Sequence, residues 1–279
     1  MSSAAIAWID SPAPHGRWGE PGALQLPLDD RGLLLADGIF ETVWVEAGQP
    51  WLLEEHLERW TDGARLLGME PPPLAPVLAH TIAEAIRRSG IRRGALRLNW
   101  SRGSAASGGG RGLAIPRHSA HRCWLQLTAL EASFSAVRVI VSPTERRQAG
   151  SLLSRCKTFS YASAIQARRQ AAAAGADDAL LSSSAGGLCC GTAANLMLRQ
   201  GHHWITPPLA SGCLPGVMRA RALALGLATE GVVQPDQLLH GDGAVLLNSL
   251  GCRPISQLDN QPLPRLEGAE SFWRRLLRR

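Results

Sequence analysis

The sequence predicts an α+β protein built from two domains. Three observations carry that reading. The chain has 279 residues, 45% of them apolar, enough for one large core or two smaller ones. Strand-like alternation and helix-like periodicity are mixed in two blocks, without a repeating βαβ series. The pattern also restarts after a short connecting stretch. The expected division is an N-terminal α+β domain over 1–130, a linker over 131–135 and a C-terminal domain over 136–279. Mean hydropathy of −0.03 excludes a disordered or collagen-like chain.

The elements follow in order. Ile39–Val45 is rich in β-formers, Gly48-Gln49-Pro50 makes a turn, and Trp51-Leu52-Leu53 resumes. Leu57, Trp60, Leu66 and Leu67 recur at helical spacing, predicting a helix from Leu53 to about Met69. PPPLAP ends that stretch, and a second helix is expected over Val77–Ser89. Gly94–Trp100 alternates like a strand, Ser104–Gly112 is a Gly/Ser-rich loop, and Trp124–Leu130 is a further strand. Past the linker, Val137–Val141 reads as a strand and Tyr161–Ala174 as an alanine-rich helix stopped by Gly175. Asp178–Ser182 is a short strand, and Leu188–Leu198 a strand with a turn inside it. His203–Thr206 is a strand ended by Pro207-Pro208, and Gly216 to about Ala228 a helix. Val245–Leu247 is a buried strand leading into Asn248-Ser249.

Charge and cysteines set the class. The net charge is +6, but the basic residues are scattered and follow no nucleic-acid-binding pattern, so no nucleic-acid partner is expected. The dense cluster FWRRLLRR at the C-terminus reads as a solvated helix, with contact to an acidic surface as the other reading. The six cysteines lack metal-type CxxC spacing, and no metal is expected. No apolar run reaches the ~18–20 residues a membrane helix needs. The N-terminal stretch has no basic region followed by an apolar one. A cytoplasmic protein with reduced thiols and no membrane partner is the expectation.

One count stands apart. Of 29 Lys and Arg residues, one is lysine, Lys157, and 28 are arginine. Nucleotide bias explains the arginines. Lysine, unlike arginine, loses its proton when desolvated or placed beside another cation. A neutral primary amine forms a Schiff base with an aldehyde or acts as a general base. Arg155, two residues earlier, is a candidate neighbouring cation. Tyr161, the only tyrosine, follows at four residues and offers a phenol to a ring hydroxyl. Two further features suit a phosphate. Gly212-Cys213-Leu214-Pro215-Gly216 opens a helix whose first-turn N–H groups, at Val217 and Met218, are able to hold one. Arg59, on the first helix, suits bidentate phosphate contact.

Together these segments resemble the class IV aminotransferase family, the fold-type IV pyridoxal-phosphate enzymes, over about residues 29 to 260. Asp30-Arg31-Gly32-Leu33 and Ala36–Thr42 are similar to its N-terminal signature, and Leu52–Arg59 to the segment whose arginine binds the cofactor phosphate. Lys157–Tyr161 matches its Schiff-base lysine and following tyrosine. Thr192–Leu196, Ile205–Leu209 and Gly216–Arg219 continue in family order. The resemblance implies a small N-terminal α/β domain, a larger C-terminal β-barrel-like α/β domain that binds the cofactor, and a homodimer. The cofactor is pyridoxal 5'-phosphate, bound by Arg59, Lys157, Tyr161, Cys190, Val217, Met218, Asn248 and Ser249, with Lys157 catalytic.

Ser101-Arg102-Gly103, Gly110-Arg111-Gly112, Val217-Met218-Arg219 and Asn248-Ser249-Leu250 are similar to the aminodeoxychorismate lyase branch of that family. This implies elimination of pyruvate from 4-amino-4-deoxychorismate to give 4-aminobenzoate, a step toward folate. The substrate is a small dianion; Arg102 and Arg111 are the expected carboxylate partners, and Thr42 an additional contact. One position departs from the family. A glutamate normally faces the ring nitrogen two residues before the Thr of Thr192-Ala193-Ala194-Asn195; here it is Cys190. A thiol does not hold that nitrogen protonated, which speaks against transamination. The alternatives are a branched-chain or D-amino acid aminotransferase, and a non-catalytic cofactor-binding paralogue.

Overall fold

The computed structural model describes residues 5–10, 16–105, 112–116 and 118–278. The chain forms two compact units, Met1–Glu131 with Cys156–Ser160, and Ala132–Arg155 with Tyr161–Arg279. The short segment Cys156–Ser160 thus groups with the first unit, although it falls within 136–279 in sequence. Backbone pairing explains this. The Phe40 N–H donates to the Lys157 carbonyl at 2.8 Å and the Phe159 N–H to the Gly38 carbonyl at 2.9 Å, making a bridge between Ile39 and Thr158.

The first unit runs β1 (Ile6–Ile9), β2 (Arg17–Gly19), α1 (Arg31–Leu35), β3 (Gly38–Glu46), β4 (Gln49–Pro50), α2 (Leu53–Leu66), α3 (Ala75–Ser89), β5 (Arg93–Ala105) and β6 (Ser119–Ala129). The strands form one sheet in the order β2-β1-β6-β5-β3-β4. β3 pairs antiparallel with β5 along its whole length, from Gly38 opposite Ser101 to Glu46 opposite Arg93. Strand alternation then separates two faces: Ile39, Glu41, Val43 and Val45 on one, Phe40, Thr42 and Trp44 on the other. Ile39, Val43 and Val45 join Leu96, Leu98, Leu125 and Leu127, with Leu57, Trp60, Leu78 and Ile82 from the helices, in one buried cluster. Each such aliphatic side chain contributes about 1.5–3 kcal/mol.

α2 is helical because Leu57, Trp60 and Ala64 recur on its buried face, with Glu54 and Glu55 in the first turn and Arg65 in the last. It ends three residues before the predicted Met69, where the chain turns through Leu67 and Gly68. α3 starts two residues earlier than predicted, because Pro76 is compatible with a first helical turn.

The second unit runs β7 (Val137–Arg147), α4 (Ala162–Ala173), β8 (Asp178–Ser183), β9 (Leu188–Gly191), β10 (Asn195–Gln200), β11 (His203–Thr206), α5 (Val217–Ala224), β12 (Ala228–Glu230), α6 (Pro235–His240), β13 (Ala244–Asn248), β14 (Gly251–Leu258), β15 (Gln261–Pro262) and α7 (Ala269–Leu277). Its sheet has the order β12-β11-β10-β13-β14-β7-β8-β9, and β9 pairs back onto β10. Six strands therefore close into a ring, which is the barrel-like arrangement expected. Val137, Val139, Leu180, Leu196, Leu198, Leu246 and Ile255 share its core. The single strand expected over Leu188–Leu198 is two, reversing where the Gly191 N–H donates to the Ala194 carbonyl at 2.9 Å. The helix expected to run to Ala228 stops at Ala224, since Ala228 already pairs with Trp204 in the sheet. The terminal helix is not simply solvated: Trp273, Leu276 and Leu277 of α7 are buried. All six cysteines are buried free thiols. Among the described residues, no helix is long and apolar enough to cross a membrane.

Candidate active site

In the first unit, Lys157 lies on the extended stretch beside β3, half-buried. Its Nζ stands 4.4 Å from the centroid of the Phe40 ring. The Phe159 ring packs 6.3 Å from Phe40 and 5.5 Å from Trp124. Gly38 makes room for it: a Cβ there would fall 2.2 Å from the Phe159 ring, so a side chain would push Phe159 aside and disturb the lysine next to it. Arg155, the cation the sequence suggested, is exposed. The cation that shares the Phe40 ring is Arg97, whose guanidinium carbon is 3.6 Å from the centroid. Arg97 is the cross-strand partner of Thr42, so both lie on the Phe40 face. The structure thus brings Lys157 and Arg97 onto one aromatic ring, with Thr42 on the same face of β3. Sequence reasoning missed Arg97, one arginine among 28. The usable signal was strand parity, which places Arg97 and Asn99 on one face of their strand.

Arg59 is held from the other face of β3. Its Nε donates to Glu41 Oε1 at 2.7 Å and its Nη2 to Oε2 at 2.6 Å. His56 Nδ1 lies 2.7 Å from Oε2. Burial pushes the Glu41 carboxyl up, but Arg59 and His56 outweigh it and hold the group down at about 2. The bidentate pair fixes the plane of the Arg59 guanidinium.

Arg102, a carboxylate partner expected from the sequence, lies on β5. It is buried, with Nε on Asp37 at 2.8 Å, Nη1 on the Gly68 carbonyl and Nη2 on the Leu67 carbonyl, both at 2.9 Å. These bonds tie β5 to Asp37, just before β3, and to the end of α2. Arg111 lies outside the described residues.

In the second unit, Val217 and Met218 begin α5. Gly216 is the N-cap, and no side chain caps the helix. A Cβ on Gly216 would fall 1.9 Å from Asn195 Oδ1, so any side chain there would displace the Asn195 amide. Asn195 Nδ2 donates to the Leu214 carbonyl at 2.9 Å and holds the turn that leads into α5. Cys190 is the cross-strand partner of Asn195, which in turn faces Leu247. Cys190, the start of α5 and the turn after β13 therefore lie at one end of the ring. Cys190 is buried with Cys189 and Cys213. Its hydrogen bond, with burial adding, pushes the Cys189 thiol up to about 12. Cys213 is pushed up as well, first by its bond with Cys189 and then by burial.

Asn248 ends β13. Its Oδ1 accepts the Leu250 N–H at 2.8 Å and its Nδ2 donates to the Ala193 carbonyl at 3.2 Å. The amide builds the turn that presents Ser249. Tyr161 occupies the N-cap position of α4, half-buried.

The sequence profile of amino-transferase class IV matches residues 38–258. The chain belongs to this family. The class IV family depends on pyridoxal phosphate, and the fold described above is its fold-type IV architecture. An aminodeoxychorismate lyase of Bacillus subtilis is 25% identical over 243 residues, 85% of this chain and 82% of that one. A bifunctional aminodeoxychorismate lyase / D-amino acid transaminase of Mycobacterium tuberculosis is 40% identical over 87 residues, so that match spans 30% of each chain. Among solved structures, the PLP-bound form of a hypothetical aminotransferase from Mycobacterium tuberculosis is 26% identical with a TM-score of 0.81, covering 98% of this chain and 97% of that one.

The residues present fit the cofactor of this class IV family. A primary amine stands against an aromatic wall, as an aldehyde partner requires. A helix N-terminus without a side-chain cap, entered through a glycine whose Cβ position the Asn195 amide fills, suits a phosphate.

Proposed function

We propose that this class IV protein is a pyridoxal-phosphate-dependent lyase that eliminates pyruvate from 4-amino-4-deoxychorismate, releasing 4-aminobenzoate for folate synthesis, and that it works as a cytoplasmic homodimer. The observation that carries the reading is the lone lysine beside Phe40, with Arg97 on the same ring. A catalytic amine and a cation for an anionic substrate thus meet on one face. Likeness to the Bacillus subtilis lyase over 85% of the chain supports it.

Lys157 would link to the cofactor aldehyde. The N–H groups of Val217 and Met218, with Ser249 and Arg59, would take its phosphate, Tyr161 its ring hydroxyl, and Cys190 would neighbour its ring nitrogen. When bound, the cofactor withdraws electrons from the amine-bearing carbon and makes its proton acidic. The Lys157 amine, freed when the substrate amine takes its place on the aldehyde, would take that proton. The electron pair left behind aromatises the substrate ring and expels the enolpyruvyl oxygen, breaking the carbon–oxygen bond. The Lys157 ammonium returns the proton to the methylene carbon of the departing enolpyruvate, giving pyruvate. Substrate atoms equal product atoms, so no water or oxidant is consumed. Arg97 and Thr42 orient the substrate, and the Phe40, Phe159 and Trp124 rings exclude water from the lysine. Aromatisation supplies the driving force, which suits a site with a thiol at Cys190 where transamination would favour a carboxylate.

The test is pyruvate release from aminodeoxychorismate with no 2-oxo acid present. The wild type should release it, bind pyridoxal phosphate as a yellow protein, and be fixed covalently by borohydride. Lys157→Arg should abolish release and fixation while keeping the charge. Conversion of the cofactor to its amine form by ordinary amino acids, without pyruvate release, would establish the transaminase reading instead. That reading draws on the bifunctional Mycobacterium tuberculosis relative.

A further inference from the structure

The basic C-terminal helix is anchored where the proposed phosphate elements meet. Trp273 of α7 is fully buried. Its ring meets Phe134 edge-on at 5.5 Å, and its Nε1–H donates to the Asn248 carbonyl at 3.0 Å. Asn248 is the last residue of β13, and its side chain closes the turn carrying Ser249. The same helix is tied to α5. Arg221, in the second turn of α5, donates from Nε to the Leu276 carbonyl at 3.0 Å and from Nη2 to the Arg278 carbonyl. Those carbonyls lie at the end of α7, where helical partners run out, and a guanidinium there also answers the negative end of the helix dipole. One nine-residue helix thus bonds to both α5 and the turn after β13, at points away from the first-turn N–H groups.

We infer that α7 is a positioning element for the cofactor phosphate, with Trp273 and Arg221 as its positioning residues; the inference rests on the reading that α5 and the Ser249 turn receive that phosphate. Both residues act through backbone groups. Trp273 fixes the Asn248 carbonyl and with it the turn, and Arg221 fixes the axis of α5. Phosphate contact by several N–H and O–H donors requires them to be placed within about 0.5 Å, so a loosened anchor weakens phosphate recognition before it unfolds the domain.

Trp273→Phe removes the donor and keeps a ring against Phe134. Arg221→Gln removes the guanidinium and serves if the first variant fails to fold. Binding of pyridoxal phosphate and of pyridoxal, which lacks the phosphate, is titrated by absorbance for each protein. The wild type should prefer pyridoxal phosphate. Each variant should raise the Kd for pyridoxal phosphate about five- to tenfold, the size of one hydrogen bond, and that for pyridoxal less than twofold. The phosphorus resonance of the loaded variants should also shift. Equal losses for both ligands would show α7 to be a general stabiliser and overturn the inference, as would no loss for either. A wild type that binds the two alike would instead overturn the phosphate reading, and this inference with it.

Discussion

Glu41→Gln tests the buried charge network of the first unit. The substitution keeps the volume and removes the charge. In the native protein Glu41 is 1% exposed, with Arg59 bonded to both oxygens and His56 to one. Its folded value of about 2, against an ordinary 4.5, corresponds to about 3 kcal/mol of stabilisation at neutral pH. Because the folded value is depressed, that contribution is fully present above about pH 5 and drains away as the pH falls toward 2. Urea denaturation of both proteins should therefore show a gap of about 3 kcal/mol at pH 7 that shrinks to roughly half by pH 3. A gap under about 1 kcal/mol at pH 7, or one that stays constant with pH, would refute the claim that Arg59 and His56 overcome the burial cost of this carboxylate.

Two further changes probe the proposed chemistry. Arg97→Leu should raise KM for the dianionic substrate about tenfold or more, the scale of a lost charge-assisted bond, and leave the absorbance of the bound cofactor unchanged; steady-state kinetics beside a spectrum check this. Cys190→Glu places a carboxylate beside Asn195, where it should hold the ring nitrogen protonated. Conversion of the cofactor to its amine form by simple amino acids should then appear, with a lower Tm from burying the charge. Unchanged half-reaction rates would show that Cys190 does not govern the choice of reaction.

Much of the fold was legible because local signals agreed with it. β3 combines β-branched and aromatic residues before a Gly/Pro turn, and α2 repeats apolar residues every three to four positions. Helix ends were less legible, since the stop at Ala224 comes from Ala228 joining the sheet, a pairing between distant segments. The site divides along the same line. Lys157 was visible because composition made it unique, and Gly216 because a Gly/Pro turn before a helix is a local signature. The surroundings of the arginines on β5 were not. Arg97 and Arg102 stand five residues apart on β5; the local motif Ser101-Arg102-Gly103 drew attention to Arg102, and nothing near Arg97 marks it out. Their roles follow from what lies across from them: Thr42 opposite Arg97, and Asp37 with two helix-end carbonyls around Arg102. Odd spacing along one strand turns the two guanidinium groups to opposite faces of the sheet, so register, set by distant segments, decides what each one meets. Arg97 lays its guanidinium over the Phe40 ring, with Nε on Asn99, and Lys157 Nζ meets that same ring, so it is the ring they share that makes Arg97 the candidate for an anionic substrate.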